Sequence, residues 1–205
     1  MKQKEIEEIL EKHKKWLFNE DGGEHANLAG ENLSYANLHN AYLKGVVLRG
    51  AILKDAILRN AVLQGADLSC ADLRGADLRG AILRCADLRS AVLSCADLRG
   101  ADLQYADLRG ADLQYADLQD AILRDTDLKG ADLDYSCLPL WCGSLTAHFN
   151  DRQLKQIAYH LVKAGLHSKN ASPETKHELS KLIDFANGFH LADECGIITL
   201  EEKKI

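Results

Sequence analysis

Carboxylates at fixed intervals are the first chemistry-bearing pattern in this 205-residue chain. Asp67, Asp87, Asp107 and Asp127 lie 20 residues apart, as do Asp77, Asp97 and Asp117. Two carboxylates held in register could act as a general acid and base, and a field of them could meet a cationic partner. A second group follows the array: Cys142, His148, His160, His190 and Cys195. These residue types ligate zinc or pair as nucleophile and base. Their spacing argues against both chemistries. There is no C-x-x-C pair, Cys142 and Cys195 stand 53 positions apart, and His160 adjoins the apolar stripe of an expected helix. A third group is aromatic: Tyr35, Tyr115 and Tyr135 share one 20-residue phase, and exposed tyrosines serve as anchors in protein interfaces.

The charges are balanced rather than massed. Residues 26–138 hold 16 acidic and 12 basic residues, a net of −4, and Arg59, Arg79 and Arg99 repeat in step with the aspartates. Interleaved signs offset repulsion and leave little acidic field. The chain as a whole carries −6 with a pI of about 5.7, which argues against direct nucleic-acid binding. The sequence contains no glycine-rich phosphate loop, serine elbow or metalloprotease motif. No run approaches the roughly 20 apolar residues of a membrane span. Nor do the first 25 residues read as a secretion signal. Six cysteines without such a signal are expected as free thiols in a reducing cytoplasm.

What positions these residues is a repeat. Leucine recurs at every fifth residue from Leu28 to Leu138, 23 times without a miss, and alanine stands two before it in 19 of those repeats. The exceptions are Glu31, Val46, Thr126 and Ser136, and the residue between is Asp in 11 repeats and Asn in 3. A helix turns about 100° per residue, so leucines five apart would spiral around it. A flat strand alternates faces, so an odd period would flip each leucine. The pattern closes only if the chain bends once per repeat, with Ala and Leu inward, the middle residue outward and the last two at a corner. Tyr42, Val62, Ile82 and Ile122 are apolar middle residues at multiples of 20, interrupted by Asp102. That coincidence favours four sides.

The A-(D/N)-L-x-x unit, as in Ala71-Asp72-Leu73-Arg74-Gly75, resembles the pentapeptide repeat family over about 113 residues. The resemblance implies an all-β solenoid, a right-handed quadrilateral β-helix of about six coils over residues 26–138. Some members of that family bind DNA gyrase by mimicking DNA, which makes gyrase an alternative partner. The expected function is a non-catalytic protein-binding or scaffolding module without cofactor or metal. The expected interaction face is Tyr42, Val62, Ile82, Tyr105 and Ile122.

The ends need closing, because a solenoid exposes unpaired backbone groups there. Residues 1–25 predict an amphipathic helix with a stripe of Ile6, Ile9, Leu10, Trp16 and Leu17, hinged at Gly22-Gly23. Residues 139–205 predict a small helical domain. One helix carries Leu154, Ile157, Ala158, Leu161 and Val162, and a second starts at Ser172-Pro173 with Leu179, Leu182, Ile183 and Ala186 on its buried face. A metal-binding or enzymatic role for this domain is a second alternative. The sequence leaves both monomer and homodimer open.

Overall fold

One repeat explains the bend. Between Leu78 and Ala81 the Leu78 carbonyl accepts the Ala81 N–H at 3.0 Å, and Gly80 in between takes a left-handed φ of 64°. This is the pattern of a type II turn. A computed structural model describes residues 1–138, 157–158 and 172–181, and in it every corner from Gly30 to Tyr135 carries a residue with positive φ. The turn leaves three residues for each side. Only the middle one pairs, so the sides are single bridges rather than longer strands.

Nineteen parallel bridges join each middle residue to the one 20 positions later, from Asn27↔Val47 to Asp117↔Cys137. Four repeats therefore make one turn of the solenoid. The faces are named here by their middle residues. Face I holds 27, 47, 67, 87, 107 and 127; face II holds 32, 52, 72, 92, 112 and 132. Face III holds 37, 57, 77, 97, 117 and 137; face IV holds 42, 62, 82, 102 and 122. Three hydrogen bonds per repeat cross between coils, as in Asp77 N–H to the Ala56 carbonyl, Leu78 N–H to Asp97 and Gly80 N–H to Arg99, at 2.8–3.0 Å.

The leucines and alanines stack inward and are essentially inaccessible from Leu43 through Leu128. Each buried leucine contributes about 2 kcal/mol from the removal of its side chain from water. Alanine at the other inward site keeps the interior narrow. Thr126 stands in one alanine position and is buried; its hydroxyl donates to the Leu103 carbonyl at 2.8 Å, which removes the penalty of an unpaired group.

The first coil has no coil before it, and α1 (Gln3–Leu17) lies over that edge. Glu5 accepts the Lys2 N–H at 3.0 Å and so closes the start of the helix. The Gln3 side chain behaves as a peptide group. Its oxygen accepts the Asn37 N–H at 3.0 Å, and its nitrogen donates to the Asn37 carbonyl at 2.9 Å. The N-terminal ammonium donates to the Asn32 carbonyl at 2.7 Å. The expected stripe is altered in detail. Ile6 and His13, seven residues apart, are the buried pair, while Trp16 is 44% exposed and packs its ring against His13 and His25. Gly22-Gly23 is a tight turn rather than a hinge: a Cβ on Gly23 would collide with the backbone of Trp16.

The chain divides into two compact units, Met1–His148 and Phe149–Ile205. In the second, α2 spans Pro173–Ser180, and Ser172 Oγ accepts the Thr175 N–H at 3.1 Å as its N-cap. Ile157 and Ala158 of the other expected helix are helical, while Cys142, His148, His160, His190, Cys195 and most of the expected domain lie outside the described residues.

Candidate functional site

The aspartates have a local structural role. In all eleven Asp and three Asn middle positions, one side-chain oxygen accepts the backbone N–H two residues on, at 3.0–3.3 Å. That N–H sits at the entry to the corner. Asp and Asn are therefore favoured for holding the turn.

Where arginine follows at that second position, the carboxylate is matched twice. Arg74, Arg79, Arg89, Arg99 and Arg109 each donate from Nε at 2.8–2.9 Å and from Nη2 at 2.6 Å to the aspartate of their own repeat. On face III a continuous ladder runs through Arg59, Asp77, Arg79, Asp97, Arg99 and Asp117, with contacts between coils of 3.3–3.8 Å. These arginine hydrogen bonds hold Asp72, Asp77, Asp87, Asp97 and Asp107 below the ordinary carboxylate range. For Asp67, burial pushes upward, and the hydrogen bonds from Ser69 and Arg49 outweigh it. A carboxylate held below its ordinary range is a poor proton donor near neutral pH.

Face IV differs. Its bridges run Tyr42, Val62, Ile82, Asp102, Ile122, so the structure brings four of the expected interaction residues into one row. Tyr42 is 47% exposed and Ile82 37%, with Val62 and Ile122 half-buried. Tyr42 stands partly under α1, edge-on to Phe18 at 6.1 Å and with the Lys14 ammonium 5.8 Å from its ring centre. Between α1 and the top of this row lies a groove of about 370 Å³ lined by Glu7, Leu10, Glu11, Lys14 and Tyr42 among others. Tyr105 is not in the row but at the corner after Asp102, half exposed, with a φ of 59°.

A left-handed tyrosine is strained by about 1 kcal/mol or more relative to glycine. Tyr35, Tyr115 and Tyr135 take the same conformation on another corner, and Tyr115 stacks on Tyr135 at 4.8 Å. Cys70, Cys85 and Cys95 are exposed, unpaired corner residues of the same kind. The corner conformation was not readable from the sequence at these positions, although the glycines sharing their phase hinted at it.

His13 was also missed. Its Nδ1 accepts the Ala26 N–H at 3.1 Å and its Nε2 lies 3.2 Å from the Lys44 carbonyl, which sets the tautomer with the proton on Nε2. Burial, against the pull of the Lys44 carbonyl, holds this imidazole below its ordinary value. Its spacing of seven from Ile6 was the available signal. Among the described residues no three His, Cys, Asp or Glu side chains converge as a metal site, and no helix is long and apolar enough to cross a membrane.

Comparison with known proteins follows the repeat. HetL, a pentapeptide repeat protein involved in heterocyst differentiation regulation in the cyanobacterium Nostoc sp. strain PCC 7120, is 34% identical over 57% of this chain and 67% of its own, with a TM-score of 0.32. A second Nostoc pentapeptide repeat protein, alr5209, is 37% identical over 53% of this chain and 84% of its own, with a TM-score of 0.41. The plasmid-mediated fluoroquinolone resistance protein QnrB1 is 21% identical over 63% of each chain, with a TM-score of 0.25. No curated protein matches. The family described as pentapeptide repeats matches in eight copies, over residues 24–50, 41–80, 56–94, 71–110, 81–118, 91–130 and 106–139. With the five-residue turns and the 20-residue register, that match over more than half the chain establishes that this protein belongs to the pentapeptide repeat family.

Proposed function

We propose that this protein is a non-catalytic binding or scaffolding module that engages a protein partner along face IV. The observation that carries the reading is the contrast in that row. Four of its five middle residues, Tyr42, Val62, Ile82 and Ile122, are apolar, where half or more of those on each other face are turn-capping aspartates and the exposed Ile52 and Ile57 stand singly. Tyr105 adds an exposed aromatic ring in a conformation that glycine would take without strain. Clustered aromatic and branched side chains suit the core of an interface. The module comprises just under six right-handed, four-sided coils over residues 26–138, closed at the start by the helix of residues 1–25. Residues 139–205 form a helical domain in this reading. The free, exposed thiols of the solenoid, Cys70, Cys85, Cys95 and Cys137, suit a reducing cytoplasm.

A DNA-mimicking role toward DNA gyrase is disfavoured, because it needs a field of unmatched carboxylates and those of faces I and III are matched by arginines. The test is affinity capture with the full chain, comparing wild type with Ile82→Glu/Ile122→Glu and with an Asp87→Asn control. The expected result is a partner kept by wild type and the control and lost on the double variant. A partner retained by Ile82→Glu/Ile122→Glu overturns the assignment to face IV.

A further inference from the structure

Replacing aspartates with apolar residues on face IV also strips its cations of their partners. Repeats 41–45, 61–65, 81–85, 101–105 and 121–125 hold three cations, Lys44, Arg84 and Arg124, against two carboxylates, Asp102 and Asp125. It is the one face on which cations outnumber carboxylates. Face I holds four of each, face III three against four, and face II two against six. On faces I and III, Arg79, Arg89, Arg99 and Arg109 bond the aspartate of their own repeat at 2.6–2.9 Å. The corresponding middle residues for Lys44, Arg84 and Arg124 are Tyr42, Ile82 and Ile122. Arg84 comes only within 3.9 Å of Asp102 in the next coil, and Arg124 within 3.4 Å of Asp125 at its corner. The exposed Lys44 is in no ion pair among the described residues. Face IV is thus an apolar row with a positive margin.

Such a surface is complemented by an apolar stripe with a negative margin. Spacing selects the element that carries it. Tyr42 to Ile122 spans four coils, about 19 Å at about 4.8 Å per coil. An α-helix laid along the row returns to the same side about every 5.4 Å, so four turns keep step with it. A strand repeats on one side only about every 6.6 Å and loses register within two coils. A second copy of the chain apposed face IV to face IV would set like charges together.

The upper end of the row fixes how the helix is turned. Beside Tyr42 stands the exposed Phe18, and on the Lys44 side lies a recess of about 340 Å³ lined by Trp16, Leu17, Asn19, Lys44 and Gly45. Glu7 and Glu11 line the groove on the other side of Tyr42. Carboxylates of a partner are therefore drawn toward Lys44, Arg84 and Arg124 and repelled from α1. We infer that the partner of face IV is an acidic amphipathic helix. Its apolar stripe lies on Tyr42, Val62, Ile82 and Ile122, and its carboxylates meet Lys44, Arg84 and Arg124. This inference rests on the reading of face IV as the binding face and adds the chemistry of what binds there.

The test is fluorescence anisotropy of the full chain at low salt with labelled peptides of about 15 residues, enough for four helical turns. Each carries leucine at helical spacing, with glutamate elsewhere in one arm and lysine in the other. Saturable one-to-one binding of the glutamate peptide is expected, weakening with salt, and binding of the lysine peptide at least about tenfold weaker. A proline at the centre of the glutamate peptide, which interrupts the helix, is expected to abolish binding. Arg84→Gln/Arg124→Gln is expected to weaken binding by about tenfold or more. Arg79→Gln/Arg99→Gln, the same loss of charge from face III, is expected to leave it unchanged. No saturable binding, equal binding of the lysine or proline peptide, or equal weakening by both arginine variants overturns the acidic helix. So does a dimer of the chain alone that Ile82→Glu/Ile122→Glu dissociates, which gives the face to a second copy. A captured partner lost on Ile82→Glu/Ile122→Glu but indifferent to Arg84→Gln/Arg124→Gln overturns the acidic helix and leaves face IV as the binding face. Glutamate-peptide binding indifferent to Ile82→Glu/Ile122→Glu overturns face IV itself.

Discussion

Faces III and IV share one scaffold and present opposite surfaces. Both are bridged every 20 residues, both turn through left-handed corners, and both bury the same alanine–leucine pairs. Outside, face III is a ladder of matched charges through Asp77, Arg79, Asp97 and Arg99, while face IV is a row of apolar side chains broken by Asp102. The fold is therefore indifferent to its outward residue, provided the ladder between coils persists. Each aspartate adds a local bond to its turn, which Tyr42, Val62, Ile82 and Ile122 forgo. Departure from the aspartate pattern is informative because the scaffold does not demand it.

The comparison breaks most severely where the faces are alike. Leu78→Asp under face III and Leu83→Asp under face IV both bury an unpaired charge, with an expected loss of about 4 kcal/mol or more. Thermal melts followed by circular dichroism should show similar collapse for both, and a mild effect on one face would mean that the core is not shared equally. A smaller difference should separate Asp97→Ile from Asp102→Ile. The first removes a turn cap and both arginine contacts, at about 2 kcal/mol; the second removes a turn cap and one 3.9 Å ion pair while extending the apolar row, at about 1 kcal/mol or less. Equal losses in chemical denaturation would make the two aspartates equivalent.

Tyr105→Gly should change stability in the other direction. Relief of the left-handed strain is expected to stabilise the protein by about 1 kcal/mol while weakening partner capture on face IV. A melt showing destabilisation would assign the ring a packing role instead.

Acid should act in two steps. The buried His13 ring resists protonation more than an unfolded chain does, so its contribution is whole above about 6.5 and is lost as the pH falls below that, through its lowered value. The arginine-paired aspartates contribute fully above about 3.9 and lose that contribution as the pH falls below it, through their lowered values. A His13→Gln variant should flatten only the upper step, and Asp97→Asn should reduce only the lower one, with both read from melting midpoints across the pH range.

The five-residue period of leucine and alanine by itself determined the bend, the inward pair and the narrow interior, because a side chain's burial is written directly into such spacing. Coincident phases also placed Tyr42, Val62, Ile82 and Ile122 in one row. Only the tertiary structure decided the rest. That Gln3 pairs with Asn37 as a peptide group would, that His13 rather than Trp16 is buried beside Ile6, and that Arg49 serves Asp67 from the coil before all depend on partners 13 to 34 residues away. Hydrogen bonding is directional and of short range, so those pairings exist only once stacked coils have set which groups face each other.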